Sequence, residues 1–493
     1  MLKAVSSWLF RSGTLPLSIS LFSPIHRSDP SAPSNRHVRP FLDLLAPFAS
    51  RWKSISFRIE NYDWTEFFNR FSAEEVPLLE KIHIGGTQVA RRISGDSETP
   101  DFVAATRDHG ILCAPLLRSV SIPRYAAQTL QLPVKWGELV ELSLTNGTFA
   151  LQDILEALTL CPNLVNCSIS LSNWNSMVID DDSYAPPRVV LPKLKMLSLE
   201  DDIAQYDMPA LLRSLVVPQL CHLSFRRGMN WGGSTYSALQ PLIRAFSAFI
   251  RCLIDPLQEL ELEVNSMPED CVMQILELLP GLKRLSLESY GKAETTLDGT
   301  PYAWDTPYSF YFTDEPLRRL IPKVITIQVQ SSDQVNPDRP LDERASDSDS
   351  ESAASALDVP LASLFNSSPS VSGSERKTVI NQLCPDLEVF RCTGGMFSEL
   401  TLLEFLRARS LRHHELGVAH LRRVGVSFVP GRQQSTSFTE QISKLAELVG
   451  MSVYLNYSKS LFVLPPHPDS VYSPYQGIND EGDHSYPPVH FGF

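Results

Sequence analysis

The sequence predicts an α/β solenoid in which short parallel strands form one layer and helices form the other. Two observations lead to this prediction: a short leucine-rich phrase recurs through most of the chain, and stretches of helical character lie between its copies. The composition agrees, because 43% of the 493 residues are hydrophobic and 20% are charged, as in globular proteins with a sizeable core.

The recurring phrase is usually Pro-x-Leu-x-x-Leu-x-Leu, as in Pro192–Leu199 and Pro280–Leu287. Its three anchors follow the spacing of a strand that buries one side, and the proline suits a strand's first position, where no ladder hydrogen bond is lost. All 33 anchors of the eleven copies are apolar or cysteine. The first anchors are Trp52, Leu79, Leu117, Leu139, Leu164, Leu194, Leu220, Leu257, Leu282, Leu387 and Leu421.

Helices are predicted between the strands, and Ser398 is the expected N-cap of the last one. They are Leu151–Leu160, Pro209–Leu215, Ser237–Ile250, Pro268–Leu279 and Ser398–Arg409. A strand and a helix repeated mostly every 22 to 38 residues predict a leucine-rich-repeat horseshoe, with parallel strands on its concave face and helices on its convex face. The Asn or Cys that usually closes such a repeat is not maintained, so irregular repeats are expected.

The pattern divides the chain into four segments. Residues 1–330 carry the N-terminal and central repeats, and residues 377–457 carry the C-terminal repeats of the same solenoid. Between them, the acidic, serine-rich residues 331–376 are predicted to be a disordered insertion, which explains a gap of 105 residues between two successive anchors. The proline-rich residues 458–493 are predicted to form a flexible tail.

The region ahead of Trp52 admits two interpretations. The alternation of apolar and polar residues over Leu15–Leu21 predicts a first strand. The alternative is a mitochondrial presequence, because the first 28 residues contain basic residues and no acid. In the remainder of this region only Phe41–Phe48 looks helical.

Charge and cysteine content exclude several classes of partner. The formal net charge of −13 argues against nucleic-acid binding and against attraction to anionic membranes. No apolar run approaches the ~18 residues that a membrane span requires. The eight cysteines form no CxxC pair, which favours reduced thiols in a cytoplasmic or nuclear protein.

Catalytic and metal-binding patterns are not evident, so the sequence predicts a protein that is not an enzyme and needs no cofactor or metal. Glycine-rich phosphate loops, GxSxG and HExxH are absent. Cys161 and Cys167 have a ligand-like spacing, but Cys167 occupies a core anchor. The histidines 413, 414 and 420 lie on a predicted helix and the following link without the set of Cys or carboxylate partners that a zinc site needs, and the aspartates 180–182 are interpreted as a solvated loop.

The residues between the anchors would line the concave face, which repeat proteins use for binding. Seven of the eleven residues between the second and third anchors are serine, which either relieves crowding or leaves room for a partner. The flanking positions are charged, and acids predominate, so a protein partner with a basic patch is expected. The candidate binding residues are Glu200, His222, Arg226, Glu259, Glu261, Glu263, Arg284 and Glu288.

The order of several short motifs resembles one family. The motifs are Trp8–Leu21, Arg51–Lys53, the repeated Cys-Pro-x-Leu phrase, Leu383–Leu387, Leu402–Arg409 and Gly450–Leu455. Together they resemble the divergent F-box proteins with leucine-rich repeats of mushroom-forming fungi, over about residues 6–330 and 378–457. The resemblance implies a subunit whose repeats capture substrates for a cullin-RING ubiquitin ligase.

One part of that family's pattern is missing. The Leu-Pro-x-Glu motif of the F-box and its Cys-x-x-Trp-type close are not found, so binding of the ligase adaptor is expected only if an F-box lies upstream. The main functional hypothesis is therefore a non-catalytic, substrate-recognising solenoid. The alternative is a repeat-only scaffold or adaptor protein that is unrelated to ubiquitination.

Overall fold

The computed structural model describes most of the repeat region. The described residues are 2–23, 38–59, 70–85, 110–121, 132–145, 151–171, 187–201, 207–227, 236–253, 256–263, 267, 269–289, 312–328, 376–381, 383–429 and 432–457. The predicted disordered insertion lies outside them except for Arg376, as do the predicted tail and the aspartates 180–182.

Seventeen strands occur in the described part of the chain. In chain order they are β1 (Leu17–Ser23), β2 (Trp52–Ile59), β3 (Lys81–Gly85), β4 (Ser119–Ser121), β5 (Glu141–Leu144), β6 (Asn166–Leu171), β7 (Val189–Val190), β8 (Met196–Asp201), β9 (Leu215–Val216), β10 (His222–Arg227), β11 (Glu259–Glu263), β12 (Arg284–Glu288), β13 (Lys323–Gln328), β14 (Arg376–Asn381), β15 (Val389–Gly395), β16 (Arg423–Phe428) and β17 (Ser452–Asn456).

Thirteen of these strands form one sheet in the order β1-β2-β3-β4-β5-β6-β8-β10-β11-β12-β15-β16-β17. Every neighbouring pair in this sheet is parallel. The eleven copies of the leucine-rich phrase supply eleven of its strands. The strand predicted near Leu15–Leu21 is confirmed as β1, and β17 closes the other end.

The anchors form the core side of this sheet. All of the anchors that the structure describes are buried, and Ile122 lies outside the described residues. Leu142, Leu197, Leu223 and Leu285 belong to a single apolar cluster, which confirms the prediction that they face a shared core. Because strands alternate their side chains, burial of the anchors places the residues between them on the opposite side of the sheet. We call this opposite side the polar face.

The helices contribute to the same apolar cluster as the anchors. They are α1 (Leu2–Arg11), α2 (Arg39–Leu45), α3 (Leu151–Thr159), α4 (Asp207–Ser214), α5 (Tyr236–Arg251), α6 (Glu269–Glu277), α7 (Asp314–Arg319), α8 (Glu399–Ser410), α9 (His413–Leu416) and α10 (Thr436–Val449). The five predicted helices are confirmed as α3, α4, α5, α6 and α8 with small shifts at their ends.

Local sequence explains how these helices begin and end. The Ser398 side chain accepts a hydrogen bond from the Thr401 backbone N–H at 3.1 Å, which confirms it as the N-cap of α8. Gly450 has a φ of 68°, a left-handed conformation that ends α10 directly before β17. The sequence analysis did not predict α1, although this helix is as amphipathic as α6 and α10.

The chain divides into two compact units. The first combines residues 1–322 with residues 382–493 and contains the thirteen-stranded sheet. The second, Lys323–Asn381, contains the antiparallel pair of β13 and β14. The structure therefore shows an α/β architecture built on a long parallel sheet, with a separate unit at the predicted insertion.

Candidate partner-binding face

Strand register aligns the residues between the second and third anchors into one row across the whole polar face. We call this row the central ladder. Neighbouring members pair directly in the strand register. From β1 to β17 the ladder reads Ser20, Ser56, His83, Ser121, Ser143, Ser168, Ser198, Ser224, Glu261, Ser286, Arg391, Gly425 and Tyr454.

The eight predicted binding residues lie on four adjacent strands, β8, β10, β11 and β12. Two rows flank the central ladder there. His222, Glu259 and Arg284 pair in register on one side, and Arg226 pairs with Glu200 on the other. Residues dozens of positions apart in the chain thus share one surface.

Glu259 bridges two basic side chains. His222 Nδ1 lies 3.0 Å from Glu259 Oε2, and Arg284 Nη1 donates to Glu259 Oε1 at 2.8 Å. Burial lowers the pKa of His222, but the hydrogen bond to Glu259 and the charges of Glu261 and Glu259 outweigh it, so the net pKa is raised. The carboxylate of Glu259 is therefore already engaged within the protein.

The row on the other side contains a second ion pair. Arg226 Nη2 lies 3.6 Å from Glu288 Oε2, although β11 runs between their two strands. Glu263, which the sequence places outward with the others, is only 6% exposed. Glu263 therefore lies on the polar face but is buried there, and it offers a partner little surface.

A basic pair was left out of the predicted set. Arg391 pairs in register with Ser286 and Gly425, and Arg423 pairs with Val389 on the neighbouring strand. Burial lowers the pKa of Arg391, and the charges of Arg423 and Arg284 add to this effect while Glu261 and Glu288 oppose it. The signal was available in the phrase Pro385–Cys392, which already placed Arg391 between two anchors. The 105-residue gap before that phrase hid its proximity to Ser286.

The opposite half of the face carries fewer charges. Burial and the charge of Arg58 lower the pKa of His83 to about 4, so its imidazole is neutral near pH 7. Lys81 Nζ forms an ion pair with Glu141 Oε2 at 3.0 Å across the intervening strand β4. The remaining described positions of the ladder in this half are serines, so charge on the polar face is concentrated from β8 onward.

The structure brings three histidines together away from this face. The rings of His413 and His414 lie 3.9 Å apart between centroids, and those of His413 and His420 lie 4.9 Å apart. No set of three or more His, Cys, Asp or Glu side chains within the described ranges is arranged to hold a metal ion. Cys161 and Cys167 are buried, and burial raises the pKa of the Cys161 thiol to about 12.

The sequence matches no protein-family model, and no curated protein is significantly similar to it. None of the helices in the described part of the chain is both long and apolar enough to cross a membrane.

Proposed function

We propose that this protein is a non-catalytic, protein-binding solenoid of the leucine-rich-repeat type and that it binds its partner on the polar face of the thirteen-stranded sheet. The observation that carries the proposal is the central ladder. Thirteen in-register strands present one continuous row of side chains, while the anchors on the other side are committed to the core. A long row of this kind suits recognition of an extended protein surface.

The distribution of side chains supports binding at the charged end of the ladder. The ladder has small, half-buried serines at Ser198 and Ser286, and Ser224 between them in the ladder is only 5% exposed. Around them stand long charged side chains on β8 to β16 that keep partial exposure, among them Glu261 and Arg391. Small residues surrounded by charged ones offer both a recess for a partner's side chains and electrostatic selectivity.

Within this proposal, the protein recognises substrates for a cullin-RING ubiquitin ligase. The support is the order of motifs shared with fungal F-box proteins, together with the parallel sheet that a leucine-rich-repeat protein requires. Because the F-box motif is not found in these 493 residues, we expect the ligase adaptor not to bind this chain. A scaffold or adaptor function outside ubiquitination would use the same face.

Proximity labelling with the full chain tests the binding face. We expect Ser198→Trp and Ser286→Trp, which place a bulky side chain on the polar face, to remove the specific partners that the wild-type chain labels. Arg407→Trp is the matched control, because Arg407 is an exposed residue of α8. An unchanged set of partners in folded Ser198→Trp and Ser286→Trp variants contradicts the proposal. A pull-down in which the 493-residue chain retains the ligase adaptor contradicts the expectation about the F-box.

A further inference from the structure

Two oppositely charged residues occupy the central ladder on either side of Ser286. Glu261 on β11 pairs in register with Ser286 on β12, and Ser286 pairs with Arg391 on β15. Glu261 and Arg391 are both half-buried. A cation and an anion thus stand two strands apart in the same row, with a serine between them.

Neither charge is satisfied by a direct partner in the part of the chain that the structure describes. No hydrogen bond or ion pair reaches the Glu261 carboxylate or the Arg391 guanidinium there. Their neighbours differ: Glu259 holds His222 and Arg284, and Glu288 holds Arg226. Glu259 and Glu288 therefore have direct partners on this face, whereas Glu261 and Arg391 have no hydrogen bond or ion pair within the described residues.

The direction of the Arg391 side chain keeps it from pairing directly with Glu261. Two strand spacings, about 10 Å, separate their backbones, a distance that Lys81 and Glu141 bridge elsewhere on the polar face. The Arg391 side chain instead leans away from Glu261, since its Cγ would lie 3.7 Å from a Cβ added at Gly425 on β16. Because Gly425 has no side chain, Arg391 can extend over it, and the small Ser286 leaves a recess between the two charges.

The electrostatic surroundings make both charges receptive to a ligand. Partial burial removes part of the hydration of Arg391, and the like charges of Arg423 and Arg284 offset the favourable charges of Glu261 and Glu288. Glu261 stands on the same strand as Glu259 and Glu263, which places three carboxylates within five residues. A partner that brings the opposite charge to each position would give each of these half-buried charges a direct contact.

We propose that Glu261 and Arg391 form a two-point docking site for a protein segment that presents a Lys or Arg side chain to Glu261 and an Asp or Glu side chain to Arg391. This inference rests on the proposed function and changes the expected partner. From the acidic strands alone, we expect a partner with a purely basic patch. From Glu261 and Arg391 in the central ladder, we instead expect a partner with one basic and one acidic group about 10 Å apart.

The spacing favours a peptide over a free zwitterionic metabolite. The amino and carboxylate groups of a free amino acid are separated by a single carbon and cannot reach both positions. Residues two apart on an extended segment are ~6.8 Å apart on one face, and long side chains cover the remaining distance. The net charge of −13 also disfavours a polyanion such as nucleic acid.

The test uses the full 493-residue chain and a phage-displayed library of random linear peptides as the probe. We expect enriched peptides to carry one basic and one acidic residue at a preferred spacing. Glu261→Gln and Arg391→Gln should each weaken their binding about tenfold, which corresponds to ~1.4 kcal/mol. Glu404→Gln and Arg407→Gln are matched controls, because both residues are exposed on α8, and they should leave binding unchanged.

Charge reversal separates recognition from misfolding. Glu261→Lys should select peptides with two acidic residues, and Arg391→Glu should select peptides with two basic residues, which an unfolded variant cannot do. If Ser286→Trp abolishes peptide binding but none of the four substitutions of Glu261 and Arg391 changes it, this inference is wrong and the proposed function is still supported. Peptides indifferent to Ser198→Trp and Ser286→Trp as well count against the proposed function itself. A selection that enriches no charged pair also overturns the inference.

Discussion

The buried guanidinium of Arg409 donates from Nε to the carbonyl oxygen of Leu320 at 3.0 Å. Its Nη1 donates to the carbonyl oxygen of Cys384 at 2.9 Å, and its Nη2 donates to that of Leu383. Leu320 precedes the separate unit of residues 323–381, and Leu383 follows it. One side chain of α8 therefore ties together the two places where the chain leaves the main unit and returns to it.

Replacing Arg409 should be strongly destabilising. Arg409→Met removes this donor from all three carbonyl oxygens. That of Cys384 still accepts from the Leu387 backbone N–H, but those of Leu320 and Leu383 lose the Arg409 hydrogen bond, and an acceptor left unsatisfied costs roughly 1–3 kcal/mol. We expect the free energy of unfolding to fall by about 3 kcal/mol or more, measured by urea denaturation followed by circular dichroism. Arg407→Met, an exposed change on the same helix, is the control and should cost less than about 0.5 kcal/mol. Equal stability of the two variants would show that the Arg409 hydrogen bonds do not hold this region together.

The two sides of β8 should respond very differently to truncation. Leu197 is 1% exposed, so Leu197→Ala should lower the free energy of unfolding by about 3 kcal/mol through lost burial and a residual cavity. Ser198 points to the polar face, and Ser198→Ala should change it by less than about 0.5 kcal/mol. Chemical denaturation of both variants checks the assignment. Similar losses at the two positions would contradict the alternation of core and polar faces.

His222 should stabilise the fold mainly at lower pH. Its pKa in the folded protein is raised above 6.5, so folding favours the protonated imidazole beside Glu259. The contribution of the protonated His222 to the free energy of unfolding is complete below pH 6.5, and it is lost as the pH rises through the raised pKa of His222. Relative to His222→Gln, the wild-type chain should therefore lose part of its stability advantage as the pH rises above 6.5. Glu259→Gln should return the His222 pKa towards or below 6.5 in an NMR titration, and an unchanged titration would exclude the pair as the cause.

His83 should show the opposite dependence on pH. Its pKa is lowered to about 4, so the unfolded chain binds a proton at this residue more readily than the folded chain. The neutral His83 should make its full contribution to the free energy of unfolding above pH 6.5. As the pH decreases towards 4, this free energy should fall by on the order of 3 kcal/mol for a shift of this size. His83→Gln should remove this part of the acid sensitivity, measured by unfolding at several pH values. Acid sensitivity that survives in the variant would assign it to other groups.

Much of the strand layer could be predicted from the sequence because the phrase is local. Its anchors, such as Leu197 and Leu285, alternate with polar residues over a few positions, which determines the buried side of a strand without knowledge of its neighbours. The N-cap at Ser398 depends on an equally local pattern. Helix α1 was not predicted, because the basic, acid-free composition of the first 28 residues was interpreted as that of a possible presequence.

By itself, the sequence determined the repeating strand, the core anchors and eleven of the thirteen members of the central ladder, since each depends on a spacing of only two or three residues; Ser20 and Tyr454 join the ladder through the register of the end strands. Only the tertiary structure decided which charges meet. It buries Glu263, engages Glu259 with two basic groups, and brings Arg391 beside Ser286 across 105 residues of chain. The physical reason is that charge pairing depends on register between distant strands and on the direction each long side chain takes, neither of which a local pattern contains.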